Sequence, residues 1–186
     1  MMSAALLIEA QSPAVRSGEP HVMETPRLIL RPISETDLAD YIKLLSNPEV
    51  MRFIGLAQGR TFSEEEVLSL IHGAMRVWRE RGYGRWSMFE RATGEFVGFA
   101  GFRSEQDVPE LLTIVHEKFW RTGYAFEGCK AALDYGFRVF KFDEICSFTR
   151  PANHKARGLL DKLGCEFLGI IDFHGVDAAA YRIQPA

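Results

Sequence analysis

The chain has little of what usually assigns a protein at a glance. Among its 186 residues there are three cysteines, Cys129, Cys146 and Cys165. They lack C-x-x-C spacing and fall inside regularly patterned segments, so they read as reduced core thiols, and no metal site is expected. No apolar run approaches the roughly 20 residues that span a bilayer, so no membrane partner is expected. The opening M-M-S-A-A-L-L-I-E-A has no basic segment and is interrupted by Glu9, unlike a secretory signal, which points to a cytoplasmic protein. A basic excess is also missing. The formal net charge is -3, which excludes a non-specific nucleic-acid binder with a cationic face. There is no G-x-x-x-x-G-K-S/T phosphate loop and no internal repeat.

What is present is an ordinary globular balance, 47% hydrophobic and 25% charged, over a length that suits one domain with a sizeable core. Residues 1–24, with Pro13, Gly18 and Pro20, show no period and read as a flexible N-terminal arm, leaving 25–186 as the folded domain. Arg27 to Arg31 reads as a strand stopped by Pro32. Ser34 with Asp37 approximates a capping box before a helix with Leu38, Tyr41, Ile42 and Leu45 on one stripe. A short helical turn follows near Val50. A long helix runs from Ser63, its cap, to Arg81, and Gly82 ends it. Arg85–Arg91 and Glu95–Phe102 then read as strands joined at Ala92-Thr93-Gly94.

A polar loop, Arg103 to Pro109, is expected before the strand Leu111–Val115. Next comes F-W-R-T-G-Y-A-F-E-G, residues 119–128, opening a helix from Tyr124 to Phe140. Its small residues Ala125, Gly128, Ala132 and Gly136 permit close approach to a sheet, while Glu127, Lys130, Asp134 and Arg138 read as a solvated face. The remainder is a strand from Phe142 to Thr149, a helix from Asn153 to Leu163 ended by Gly164, and a hairpin of Cys165–Phe173 with Ala178–Ile183. A strand that enters a glycine-bearing turn and then a helix leaves several N–H groups unpaired at the positive end of the helix dipole. That is an anion site.

Three stretches carry a resemblance. T-P-R-L-I-L-R-P-I at 25–33, Glu110 ten residues before Trp120 in W-R-T-G-Y-A-F-E-G, and Asn153 followed by K-L-G at 162–164 resemble the ribosomal-protein serine/alanine branch of the GNAT N-acetyltransferases. The similarity covers about residues 25–183. It implies an α/β fold with a twisted mixed sheet, splayed between the fourth and fifth predicted strands and flanked by about four helices. It also implies acetyl-CoA as co-substrate, bound in the splay. Departures are Arg121 for a frequent glycine, Leu112-Thr113 for Gly-Tyr, Ala156 for serine, Leu160 where other members place a tyrosine acid, and Cys165 for phenylalanine.

The resemblance assigns the main chain of Thr113, Ile114 and Val115 to pantetheine, and Trp120, Arg121, Thr122, Gly123, Tyr124 and Ala125 to the pyrophosphate. Asn153 either contacts pantetheine or only caps its helix. Glu110 is the expected base, or else an anchor for a cationic amine, and the N–H of Ile114 is the expected donor to the developing oxyanion. A lysine side chain presented neutral at pH 7 costs about 4.6 kcal/mol, but an α-amine about 1.4, so a modest base suffices for the latter. The implied reaction is direct transfer to a primary amine, a small molecule or a protein N-terminus, by a monomer or homodimer. The alternative is a non-catalytic acyl-CoA sensor on the same fold, motivated by the missing serine and tyrosine acids.

Overall fold

The computed structural model describes residues 22–54, 59–106 and 108–185, the side chains of 104–106 excepted. The reading of residues 1–24 as an arm therefore lies outside the described residues as far as residue 21. Eight strands build one sheet: β1 (Met23–Glu24), β2 (Leu28–Pro32), β3 (Arg85–Glu90), β4 (Phe96–Gln106), β5 (Val108–Val115), β6 (Ile145–Thr149), β7 (Glu166–Phe173) and β8 (Val176–Ile183). Their spatial order is β1-β2-β3-β4-β5-β6-β8-β7. β1 annexes the last two residues assigned to the arm, pairing Met23 with Leu30 and Glu24 with Ile29.

Helices α1 (Leu38–Leu45), α2 (Pro48–Met51), α3 (Glu64–Arg81), α4 (Tyr124–Arg138) and α5 (His154–Lys162) flank the sheet. Local chemistry accounts for their ends. Ser63 accepts from the Glu66 N–H while the Glu66 carboxylate accepts from the Ser63 N–H, and Gly82 closes α3 at φ 72°. Ser34 and Asp37 form a second capping box, on the 3-10 turn before α1. Asp37 does more than cap. It is buried, paired with Arg31, and accepts from the Ser87 hydroxyl at 2.6 Å, while Tyr41 hydrogen-bonds Ser87. This network fastens α1 to β2 and β3, and Tyr41 stacks on Phe99 of β4. α4 covers the opposite face, where a side chain on Gly128 would collide with Met88 and one on Gly136 with Phe102. Trp78 and Trp86 meet edge to face in the core.

The polar loop expected at Arg103–Pro109 is instead the end of a hairpin: β4 runs on to Gln106 and β5 starts at Val108, with a register shift between Arg103 and Gln106. Pro109 fits inside β5 for a reason that periodicity does not reveal. The Leu111 carbonyl accepts from Ser147 of β6, whereas the His116 N–H donates to Val97 of β4. Peptide groups alternate sides along a strand, so odd positions of β5 face β6 and even positions face β4. The N–H that proline lacks therefore belongs to the β6 side and costs the β4 ladder nothing.

Among the described strands, β5 and β6 are the parallel pair, and their register contains one couple, Glu110 with Cys146. Beyond it they separate. β4 must keep β5 straight on its other side, and Gly98 opposite Val115 is essential there: its φ is 146°, and an added Cβ would overlap the Ile114 carbonyl. Gly98→Ala is expected to destabilise the fold by roughly 3 kcal/mol or more, read as a lower midpoint in urea denaturation. A midpoint within error of the parent would show that β4 and β5 tolerate a wider spacing.

Candidate active site

The gap between β5 and β6 opens into a cavity of about 180 Å3. From β5 it is lined by residues 110–114, and from β6 by Ser147, Phe148, Thr149 and the following Arg150. Cys129 of α4 and Asn153, Ala156 and Leu160 of α5 close one side, and Phe53, Ile54, Phe173 and Ala178 the other.

Alternation along β5 settles which main-chain groups enter this gap. The peptide groups of Leu111, Thr113 and Val115 face it, and that of Ile114 faces β4, whose Phe99 is its register partner. The expectation that Ile114 offers its N–H to the gap is therefore corrected, because the ladder takes up that edge. Val115 also differs from expectation, since its carbonyl accepts from the Trp120 indole at 2.9 Å. Thr113 keeps its main chain toward the gap, while its hydroxyl donates to the Phe99 carbonyl at 2.7 Å.

Glu110 is 5% exposed, at the vertex of the gap. Its carboxylate receives two bonds from the Arg103 guanidinium, Nε to Oε2 at 2.7 Å and Nη2 to Oε1 at 3.0 Å. A bidentate pair of this kind holds the carboxylate in one orientation. Sequence reasoning missed Arg103 because the segment read as a loop. Its signal was the hairpin register, which sets Arg103 directly across from Glu110. Ser147 donates to the Leu111 carbonyl, and Leu160 is a buried aliphatic wall.

The glycine-bearing turn expected before α4 is present. After a 3-10 turn over Glu117–Phe119, Arg121 takes φ 64° and Gly123 φ 90°, and α4 begins with no side-chain cap. The first intrahelical donor recorded at this end is Glu127 to the Gly123 carbonyl, so the amides of Tyr124, Ala125 and Phe126 precede the helical ladder. Arg121 adopts the left-handed conformation at a cost of about 1 kcal/mol. The Lys155 ammonium lies 3.9 Å from the Trp120 ring centroid, placing a cation beside the turn. Asn153 caps α5 by accepting from Ala156 at 3.2 Å and also lines the cavity, so its two readings are compatible.

Glu127 belongs to a clamp rather than to a solvated face. It accepts from the Thr25 hydroxyl, from the Arg27 N–H at 2.8 Å and from Arg27 Nε at 2.7 Å, while Arg27 Nη1 donates to the Thr122 carbonyl. Arg27 thus braces the turn against β2, and its guanidinium stacks over Tyr124. Burial pushes the Glu127 carboxyl up, but the bonds from Thr25 and Arg27 outweigh it and hold the group below the usual carboxylate range. His116 follows β5 with Nδ1 buried, and no three His, Cys, Asp or Glu among the described residues are grouped to hold a metal.

The acetyltransferase (GNAT) domain family matches residues 27–166. The uncharacterized N-acetyltransferase YoaA of Bacillus subtilis is 29% identical over 153 residues, 81% of this chain and 85% of that protein. FsC-acetyl coenzyme A-N(2)-transacetylase of Aspergillus fumigatus is 31% identical over 156 residues, 77% of this chain and 63% of that one. Among solved structures, RimL, a ribosomal L7/L12 alpha-N-protein acetyltransferase in complex with coenzyme A, superposes with TM-score 0.76 at 16% identity, covering 88% of this chain and 98% of that one. No helix among the described residues is long and apolar enough to cross a membrane.

Removing the clamp charge with Glu127→Gln should cost about 1 kcal/mol at pH 7. A carboxyl with a depressed folded pKa stabilises above its ordinary value near 4.3, and that contribution fades as pH falls through the lower folded value. The two proteins should therefore differ in urea midpoint at pH 7 and converge near pH 3. Parallel curves at both values would mean that the ionised carboxylate contributes nothing.

Proposed function

The chain belongs to the GNAT acetyltransferase family and is an acyltransferase, and on that premise we propose that it carries acetyl from acetyl-CoA to a primary amine in one direct step. The observation that carries this reading is the parting of β5 from β6 beside the uncapped start of α4. The residues present fit the coenzyme. The amides of Gly123, Tyr124 and Ala125, backed by the helix dipole and flanked by Arg121 and Lys155, would hold its diphosphate. The gap-facing peptide of Thr113 would pair with an amide of its pantetheine arm, with Trp120 fixing the end of β5 and Asn153 closing the side. Acetyl-CoA, when bound, supplies an activated thioester. The chain's own groups then orient the amine, exclude water and manage the proton.

Glu110 is the residue proposed to take the proton, directly or through water. As a carboxylate it is a modest base, and its bidentate bond to Arg103 holds it in one place. That suits an α-amine, which needs little help to be neutral at pH 7, better than a lysine side chain. The N–H that meets developing charge on the acyl oxygen is assigned to the odd-numbered edge of β5, with Thr113 in the place first given to Ile114. A metabolite amine or a peptide N-terminus remains the acceptor class of this reading, with the cytoplasm as the proposed location and a monomer or homodimer as its form.

The test is thiol release from acetyl-CoA across a panel of amines, beside calorimetry with coenzyme A. The wild type should bind coenzyme and release thiol only when an amine is present. Glu110→Ala should keep coenzyme affinity within about twofold and lose at least tenfold in kcat at pH 7, with part of the loss recovered as pH rises. Turnover equal to wild type would remove Glu110 from the chemistry. Coenzyme binding without thiol release from any amine would support the sensor instead.

A further inference from the structure

The cavity has two charged poles, and Glu110 with its Arg103 partner accounts for one of them. The other is Arg150. It follows β6 directly, its carbonyl accepts from the Asn153 N–H at 2.9 Å, and Pro151 comes next, so its backbone is held in a turn. Its side chain lines the cavity, and Nη1 is shielded from solvent with no hydrogen-bond partner in the protein. A buried guanidinium nitrogen without an acceptor is costly, and cost of that kind in a binding cleft marks a missing counterpart.

The sheet register places this pole. Glu110 pairs with Cys146, so steps of two set Leu112 and Ile114 on the same face as Phe148 and, at the next position, Arg150. Phe148 stacks on Phe173 of the final hairpin on that face, away from α4, whose first turn carries the anion site. Between the poles the walls are apolar: Phe53, Ile54, Leu112, Phe148 and Ala178. Glu110 is the one carboxylate among the lining residues, so a second ammonium, as in a polyamine, has no anion to meet.

Resting on the acetyl-transfer reading, we propose that Arg150 is the anchor for a carboxylate carried by the acceptor, which is an amine with an apolar body and an anionic end. The preferred acceptors are thus apolar amino acids, and Arg150 determines specificity without touching the reacting atoms. Charge-assisted pairing with a guanidinium in a partly dry site is worth about ten- to hundredfold in kcat/KM.

The experiment compares leucine, phenylalanine and ω-aminohexanoate, each against its own carboxamide, at equal concentrations of neutral amine. Wild type should favour at least one carboxylate over its carboxamide by about tenfold or more, mostly through KM. In Arg150→Gln that ratio should fall to about one, and Arg150→Lys should restore part of it. Thermal melts and coenzyme calorimetry accompany both variants, since a folded protein with parental coenzyme affinity is required for the ratio to count. A wild type that shows no preference, or acetylates neither member of any pair while binding coenzyme, overturns the anchor. Weakened coenzyme binding in both folded variants overturns it too, by giving Arg150 to a coenzyme phosphate. Failure of the acetyl-transfer reading looks different: the wild type then binds no coenzyme, or binds it and releases thiol with no amine of the wider panel.

Discussion

The site proposed for this molecule depends on two neighbouring strands that begin to pair and then stop. β5 and β6 share the single couple Glu110–Cys146, after which the Ser147 hydroxyl caps the Leu111 carbonyl and the strands diverge. An unpaired strand edge inside a fold is unfavourable unless something with amide-like groups occupies it. The fold keeps that edge because both flanks are rigid. β4 pairs along nearly all of β5, and β8 pairs along all of β6, so neither strand can relax into the gap. The vertex is also where the buried carboxylate sits, which places the ionisable group beside the opened edge without a separate loop to carry it.

Much of this was legible in the chain. The caps at Ser63 and Gly82, the turn at Ala92-Thr93-Gly94 and the glycine before α4 each obey a local rule that needs no partner, and each formed as read. The illegible parts share one cause, which is strand phase. Whether Thr113 or Ile114 faces the gap follows from how β4 and β5 align, and that alignment is fixed by a turn in a segment of polar residues that read as a loop. The same turn decides that Arg103 meets Glu110. Composition could not reveal it, because the end of a hairpin and a loop draw on the same residues. Arg150 was silent for a related reason: a lone arginine before proline shows its burial only after the final hairpin has folded against it.

The turn proposed to hold the diphosphate is braced from the far end of the sequence. Thr25 and Arg27 reach Glu127 about a hundred residues away, and Arg27 also holds the Thr122 carbonyl. A loop of four residues with two left-handed positions would otherwise be free to collapse onto its own amides. Fixing it through β2 transfers the rigidity of the sheet to the helix start, which is what preorganised recognition of an anion requires.

The three cysteines are all buried and unpaired. Burial raises the Cys129 thiol to about 12 and the Cys165 thiol to about 11, and raises that of Cys146 as well. The reactive species toward aromatic disulfide reagents is the thiolate, so the native protein is nearly mute to such a dye at neutral pH. Colour that develops with the folded protein reports the coenzyme's sulfur alone, whereas three equivalents appearing without any acetyl donor would signal that the chain has come undone.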